Sequence, residues 1–188
     1  MEMERQIISR NSKIESAKDS RVLSGFIPLF HTMEGVDGVL ERFERSAFAN
    51  AKMDQCVLAY NHNLDNAVAS VGNKTLQFEF NDDGLVWKAD VAKTSAGNDL
   101  LECVRSGLAP GCSIRIWHDE NAQSFERNSD GSDLVVMNEV YSLMDIAPTS
   151  QPHWGNVTLS RTSTGCVPNS ASLSNNINLS VLKLKLKW

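Results

Sequence analysis

The sequence predicts a mainly β fold with a few helices, because three observations agree. Short apolar runs recur along the 188 residues and are separated by turn-forming residues. Leu76–Phe80 alternates apolar with polar side chains, residues 85–91 do so in part, and the two runs flank the turn residues 81–84, which is a strong hairpin signal. A clear helical pattern occurs in one segment. Many short strands with one helix are typical of an antiparallel β-barrel or sandwich with helical additions.

The first half of the chain supplies six predicted strands. They are residues 22–30, 39–44, 57–60, 67–71, 76–80 and 85–91. The acidic, glycine-containing residues 31–38 between the first two predict a loop. Ser46 is placed to cap a short helical turn through residues 47–49.

The second half contains the predicted helix and two further strands. Thr94 or Ser95 can cap the helix, and Gly107 can end it. A strand is predicted over residues 112–117, and a long one over residues 134–146, stopped by the prolines that follow.

Three regions are predicted along the chain. Residues 1–20 are polar and charged and predict an N-terminal arm, and residues 21–154 hold the β domain. Residues 155–188 are expected to form a flexible tail, since the stretch from Gly155 to about Asn178 is rich in Ser, Thr and Asn. The tail ends in an alternation of apolar and basic side chains, which predicts a sticky amphipathic segment.

Composition and charge argue against several classes of protein. The chain has 18 basic and 23 acidic residues, so its net charge of −5 gives no reason to expect a nucleic-acid partner. No apolar run approaches the roughly 18 residues that span a membrane. The start of the chain shows no secretory signal.

No cofactor or metal is predicted. None of the four cysteines lies in a C-x-x-C pair, which argues against a zinc or redox site and favours reduced thiols. The acidic loop at Glu34 and Asp37 lacks the spacing of a metal-binding loop.

Three residues near the edges of predicted strands form the set that a serine hydrolase needs. Ser113 supplies a hydroxyl nucleophile, His62 a base to take its proton, and Asp145 a carboxylate to orient that base. Their order, His then Ser then Asp, differs from the α/β-hydrolase, chymotrypsin and subtilisin orders, and no G-x-S-x-G elbow is present.

Each of the three also has an ordinary interpretation. His62 can be an exposed loop residue, Ser113 a serine on a strand face, and Asp145 a strand-end charge facing water. Ser113 shares a strand face with Arg115 and should point away from the isoleucine-bearing core face, toward a groove, whereas Cys112 lies on the core face and is the less favoured nucleophile.

His118 is the nearest histidine to Ser113 in sequence. Five residues of strand place it on the opposite face and about 16 Å away, so it is not favoured as the base. His31 and His153 lie in predicted loops.

Five stretches together resemble the prohead maturation proteases of tailed phages, serine peptidases related to the herpesvirus assemblins. They are residues 24–30, the Glu-containing segment 40–48 that ends in Ala-Phe, the Asn-His segment 60–63, the helix and serine strand 99–113, and the acidic, proline-containing segment 145–149. The resemblance runs from about Leu23 to Trp154.

The resemblance implies a herpesvirus-protease-like barrel, with His62 as general base, Ser113 as nucleophile and Asp145 as the third member. The family commonly has Glu where this chain has Asp145. Apart from the resemblance, Arg115 shares the strand face of Ser113 and is a candidate for holding a water or the oxyanion. No cofactor or metal is implied.

The implied reaction is endopeptidase cleavage of the major capsid protein, at its scaffold segment, and of the protease itself. This would take place in the host cytoplasm, inside the immature capsid. The resemblance to assemblins also raises self-association as a dimer. No nucleic acid or membrane is implied as a partner.

Two other functions remain open from the sequence. One is a non-catalytic capsid-assembly or scaffold module that keeps the fold without the activity, since residues 114–117 depart from the small, glycine-containing stretch usual in the family. The other is a β-domain hydrolase with a different substrate.

Overall fold

The computed structural model describes residues 3–10, 13–16, 20–34, 39–128 and 130–151. Within these ranges the chain forms thirteen strands and one α-helix. The strands are β1 (Met3–Arg10), β2 (Lys13–Ser16), β3 (Val22–Pro28), β4 (Met33–Glu34), β5 (Leu40–Phe43), β6 (Val57–Ala59), β7 (Ala67–Ser70), β8 (Leu76–Phe80), β9 (Gly84–Asp90), β10 (Gly111–Asp119), β11 (Gln123–Arg127), β12 (Asp133–Met137) and β13 (Ser142–Thr149). The helix is α1 (Ser95–Arg105).

The strands lie in three sheets. One sheet has the order β1-β10-β13-β6-β7, the second β11-β12-β5-β4, and the third β2-β3-β9-β8. Most neighbours are antiparallel, but β12 runs parallel to β5, and β13 runs parallel to β6. The prediction of a mainly β fold is therefore confirmed. The predicted closed antiparallel barrel is not confirmed, since the described strands form open sheets of mixed direction.

The most local sequence predictions are confirmed. Strands β8 and β9 pair as an antiparallel hairpin across residues 81–83. Helix α1 begins where predicted, because the Thr94 hydroxyl accepts a hydrogen bond from the Gly97 N–H at 3.1 Å. Just after the helix Gly107 has φ +79°, a left-handed conformation that glycine adopts without steric cost.

The predicted long strand over residues 134–146 is wrong. This segment forms two strands, β12 and β13, which belong to different sheets. Between them the N–H groups of Asn138 and Val140 bond to the carbonyls of Ala122 and Ala47, so the backbone leaves one ladder and joins another.

Strand β13 also continues through Pro148, which was expected to lie beyond the strand's end. Strand β6 pairs with β13 only at Asp145 and Ile146, so one side of β13 has no ladder partner at Pro148. A residue without an N–H can be accommodated at such a position.

Other parts of the chain differ in detail from the prediction. Residues 45–50 form hydrogen-bonded turns instead of a short helix, and the predicted loop 31–38 includes the two-residue strand β4. Strands β1 and β2 lie inside the predicted N-terminal arm and pair with β10 and β3. The predicted tail, 155–188, lies outside the described residues.

The core joins the sheets through aromatic and branched side chains. Phe48 stacks on Phe43 of β5 and on Phe80 of β8, with ring centroids 5.3 and 4.7 Å apart, so this cluster connects two sheets. As predicted, the isoleucine face of β10 is core, since Ile114 and Ile116 are fully buried.

No helix within the described part of the chain is long and apolar enough to cross a membrane.

Candidate active site

Strand pairing brings the three predicted site residues to one region of the first sheet. Strand β10, which carries Ser113, pairs with β13, which carries Asp145, and β13 pairs in turn with β6. The chain leaves β6 through a 3-10 turn at Tyr60–His62. The base, the hydroxyl and the carboxylate therefore come from three adjacent strands or their ends, although 51 and 83 residues separate His62 from the other two.

The imidazole of His62 lies between the other two side chains. Its Nδ1 is 2.5 Å from Asp145 Oδ1, and its Nε2 is 2.7 Å from Ser113 Oγ. A carboxylate only accepts hydrogen bonds, so Nδ1 carries the proton and Nε2 is left to accept the serine hydroxyl proton. The side chain of Asp145 is thus long enough to reach the imidazole.

Asp145 is completely buried. A buried carboxylate is costly unless it is paired. One of its oxygens contacts His62, and the other, Oδ2, lies 3.2 Å from Arg115 Nε. The Nε–H is not aligned for a hydrogen bond, so this contact is an ion pair, between side chains that are 11% and 0% exposed.

Arg115 also holds the backbone of the base. Its Nη2 donates a hydrogen bond of 2.7 Å to the His62 carbonyl. In the described part of the chain, Arg115 therefore contacts the Asp145 carboxylate and the main chain of His62. Asp145 lies at the Nδ1 side of the imidazole, whereas Ser113 lies at the Nε2 side.

The turn that carries His62 has an unusual backbone. Asn61 and His62 both have positive φ angles, 49° and 60°, which L-residues other than Asn and Asp rarely adopt. Asn61 is fastened to the end of β13 by a pair of bonds, since Ser150 N–H donates to Asn61 Oδ1 at 3.1 Å and Asn61 Nδ2 donates to Ser150 Oγ at 3.4 Å. The two bonds to Ser150 and the bond from Arg115 to the His62 carbonyl hold this left-handed turn. The turn brings the imidazole back to Asp145 on β13.

The pKa of the Cys56 thiol, one residue before β6, is affected by the charge of the site. Burial raises the pKa of this thiol, and the nearby negative charge of Asp145 raises it further. A thiol in this state stays protonated, which makes Cys56 a poor nucleophile. Cys112 is likewise buried, on the core face of β10.

The other histidines do not join this group. His118 is buried, and its Nδ1 donates to the Asp119 carbonyl at 2.9 Å. His31 pairs with Asp83 on the surface, and His153 lies outside the described residues. Within the described ranges no cluster of His, Cys, Asp and Glu side chains could hold a metal ion.

A cavity of about 550 Å³ has a lining that includes none of His62, Ser113, Arg115 and Asp145. Leu64, two residues after His62, and Met144, one before Asp145, contribute to its wall. The full lining is Lys52, Asp54, Gln55, Val57, Leu64, Ala67, Trp117, Tyr141, Ser142, Leu143 and Met144. This mixed lining can hold a side chain that has an apolar stem and a polar end.

Sequence reasoning named the three side chains that lie together in the structure, but it missed the contacts around them. The ion pair between Arg115 and Asp145 has no local sequence signal, because the two residues meet only through the pairing of β10 with β13. The bond between Asn61 and Ser150 was also missed. An Asn directly before the candidate base was a usable signal, since Asn adopts left-handed backbone more readily than most residues.

The chain is similar to a protein family and to a solved structure. A family model described as "Caudovirus prohead serine protease" matches residues 7–165, a span that contains His62, Ser113 and Asp145. No curated protein matches the chain. Among solved structures, the chain is similar to the bacteriophage T4 capsid assembly protease gp21, with 17% sequence identity and a TM-score of 0.47 over 83% of this chain and 100% of that one.

Proposed function

Since the chain belongs to the caudovirus prohead serine protease family, we propose that it is a serine endopeptidase that cuts the capsid protein at its scaffold segment, inside the immature phage capsid. Ser113 is the nucleophile, His62 the general base and Asp145 the residue that orients the base. The observation that carries the proposal is the continuous hydrogen-bonded chain from Asp145 through His62 to Ser113.

The first half of the reaction forms an acyl-enzyme. Ser113 Oγ bonds to the carbonyl carbon of the scissile peptide while its proton moves to His62 Nε2. Asp145 stabilises the imidazolium that results. The C–N bond of the tetrahedral intermediate then breaks, and His62 gives the proton to the leaving amine. Backbone N–H groups are expected to stabilise the oxyanion.

The second half releases the acyl group by the same route. A water molecule gives its proton to His62 Nε2 as its oxygen bonds to the acyl carbon. The bond from that carbon to Ser113 Oγ then breaks, the proton returns to Oγ, and the new carboxyl end leaves.

Arg115 is assigned a positioning role. Its contacts with the Asp145 carboxylate and the His62 carbonyl support this role better than the water- or oxyanion-holding role that the sequence suggested. The Arg115 cation beside the fully buried Asp145 offsets the cost of burying that carboxylate, which in turn stabilises the imidazolium.

Mutation of the nucleophile tests the proposal. Coexpression with the capsid protein is expected to yield shortened capsid protein, and Ser113→Ala should lower the cleavage rate by about 10⁴-fold or more. Asp145→Asn should lower it by about 10⁴-fold, because the imidazole then takes the wrong tautomer. Ser46→Ala, at an exposed serine in the turn after β5, is the matched control and should cleave at the normal rate.

The readouts are the mass of the capsid protein and labelling of the protease by a fluorophosphonate, which marks an activated serine. Uncleaved capsid protein with both the unmodified chain and Ser113→Ala would contradict the proposal and favour a non-catalytic assembly module.

The proposal extends to the protease's own chain. Self-cleavage within residues 155–188 should shorten the unmodified protein and leave Ser113→Ala at full length, which intact-protein mass measures. The division into an arm (1–20), a protease domain (21–154) and a tail (155–188) predicts that this cut leaves residues 21–154 whole. Self-association as a dimer is checked on the same samples by analytical ultracentrifugation.

A further inference from the structure

The proposed nucleophile is covered. The sequence predicted that Ser113 faces a groove, yet in the structure Ser113 is only 1% exposed. A peptide carbonyl must come within about 3 Å of the serine oxygen for attack. Some segment of the chain must therefore move before a substrate can reach Ser113.

Strand β1 lies directly beside Ser113 in the sheet. It pairs antiparallel with β10 over its whole length, from Met3 opposite Asp119 to Arg10 opposite Cys112, and Ser9 is the Cα partner of Ser113. Directly opposite residues in such a pair lie about 4.5–5.5 Å apart. A peptide whose backbone took the place of β1 would therefore lie within about the length of one side chain from Ser113.

Of the two neighbours of β10, only β1 can leave without dismantling the site. Strand β13 carries Asp145 and is paired on both sides, with β10 and with β6. Among the described strands, β1 is the last of its sheet and pairs there with β10. Its departure breaks one ladder and exposes a row of backbone N–H and C=O groups on β10. Such an edge binds an extended peptide by strand addition.

We propose that β1 is a displaceable strand that covers the nucleophile, and that the extended segment of the protein to be cleaved takes its place along β10. The inference rests on the proposed function, because it assigns the route by which substrate reaches Ser113. It makes residues 3–10 a built-in inhibitor, since substrate must compete with them for the same backbone groups of β10.

A reversible cross-link tests the displacement. Met3 and Asp119 are Cα partners at the end of the ladder away from Ser113, and their expected spacing falls within the range that a disulfide bridges. In Met3→Cys/Asp119→Cys, oxidation should slow cleavage of the capsid protein by about tenfold or more, because the cross-link removes the open state. Reduction of the same sample should restore the rate. Asp119→Cys alone is the matched control, since it loses the Asp119 bond to the Asn121 N–H but cannot pin β1.

Equal rates for the oxidised and reduced double variant would overturn the inference and leave the protease proposal intact. Absence of cleavage and of fluorophosphonate labelling in every form, the unmodified chain included, would instead contradict the protease proposal.

Hydrogen exchange tests the displacement without catalysis. In Ser113→Ala, added capsid protein should remove the protection of the amides in residues 3–10 and leave those of residues 142–149 protected. If the amides of residues 3–10 stay protected while the capsid protein is bound, or if it does not bind, β1 is not displaced by substrate.

Discussion

At the scale of single residues, the site is a row of side chains in which a buried carboxylate lies between a cation and an imidazole. The Arg115 cation, the Asp145 carboxylate and the His62 imidazole lie in contact in that order, and Ser113 ends the row. Charges out of water are stable only when each has a partner, so removal of one member leaves its neighbour uncompensated. The same arrangement that orients the base therefore also bears on the stability of the fold.

Replacement of Arg115 measures this coupling. Arg115→Met should lower the free energy of unfolding by about 3–5 kcal/mol, because it leaves the buried Asp145 carboxylate without its cation. Arg115→Met/Asp145→Asn should recover part of that loss, since no unpaired charge remains. Urea denaturation measures both.

Arg45 offers a control on the surface. It pairs with Asp82 at 2.7 Å, but both side chains are exposed, so Arg45→Met should cost no more than about 1 kcal/mol. Equal losses in the free energy of unfolding for Arg115→Met and Arg45→Met would show that the buried ion pair stabilises the fold no more than the exposed one.

At the scale of elements, the turn after β6 decides where the base lies. Strand β6 runs parallel to β13, so a chain that continued straight would carry His62 past Asp145. The left-handed residues Asn61 and His62 reverse its course, and the bonds between Asn61 and Ser150 fasten the turn to the end of β13. Positive φ angles in residues other than glycine often occur at functional sites.

Two substitutions at Asn61 separate backbone strain from hydrogen bonding. Asn61→Gly keeps the left-handed conformation accessible and loses only the two bonds to Ser150, at about 1 kcal/mol each. Asn61→Ala loses the same bonds and adds about 1–2 kcal/mol for the left-handed backbone. Urea denaturation should therefore rank Asn61→Ala below Asn61→Gly in stability, and cleavage assays should show a lower kcat for both. Equal stability of the two variants would argue that the turn does not need its left-handed conformation.

At the scale of the whole molecule, stability depends on contacts between the sheets. Phe48 lies in the turns after β5 and packs against rings from two different sheets. Its loss should open a cavity between those sheets that the surrounding side chains fill only in part.

Truncation of Phe48 tests this view of the core. Phe48→Ala should lower the free energy of unfolding by about 3–5 kcal/mol, because the ring is 2% exposed. Phe125→Ala removes the same ring from a side chain that is 78% exposed and should change stability by about 0.5 kcal/mol or less. Thermal and urea unfolding measure both variants. Similar losses in the free energy of unfolding for the two variants would show that Phe48 makes no special contribution to the contact between the sheets.

The sequence by itself determined the features that depend on neighbouring residues. The β8–β9 hairpin, the start of α1 at Thr94 and the core face of β10 follow from turn chemistry, capping and side-chain alternation, which act over a few residues. The residue types at His62, Ser113 and Asp145 likewise pointed to one chemistry.

Only the tertiary structure decided how those parts meet. Contacts between segments far apart in sequence decide the parallel pairing of β13 with β6, the division of residues 134–146 between two sheets, the contacts of Arg115 and the position of β1 beside β10. The alternation along a strand shows which face is apolar, but it does not specify which strand lies alongside, because the backbone groups that make the ladder are the same in every residue except proline.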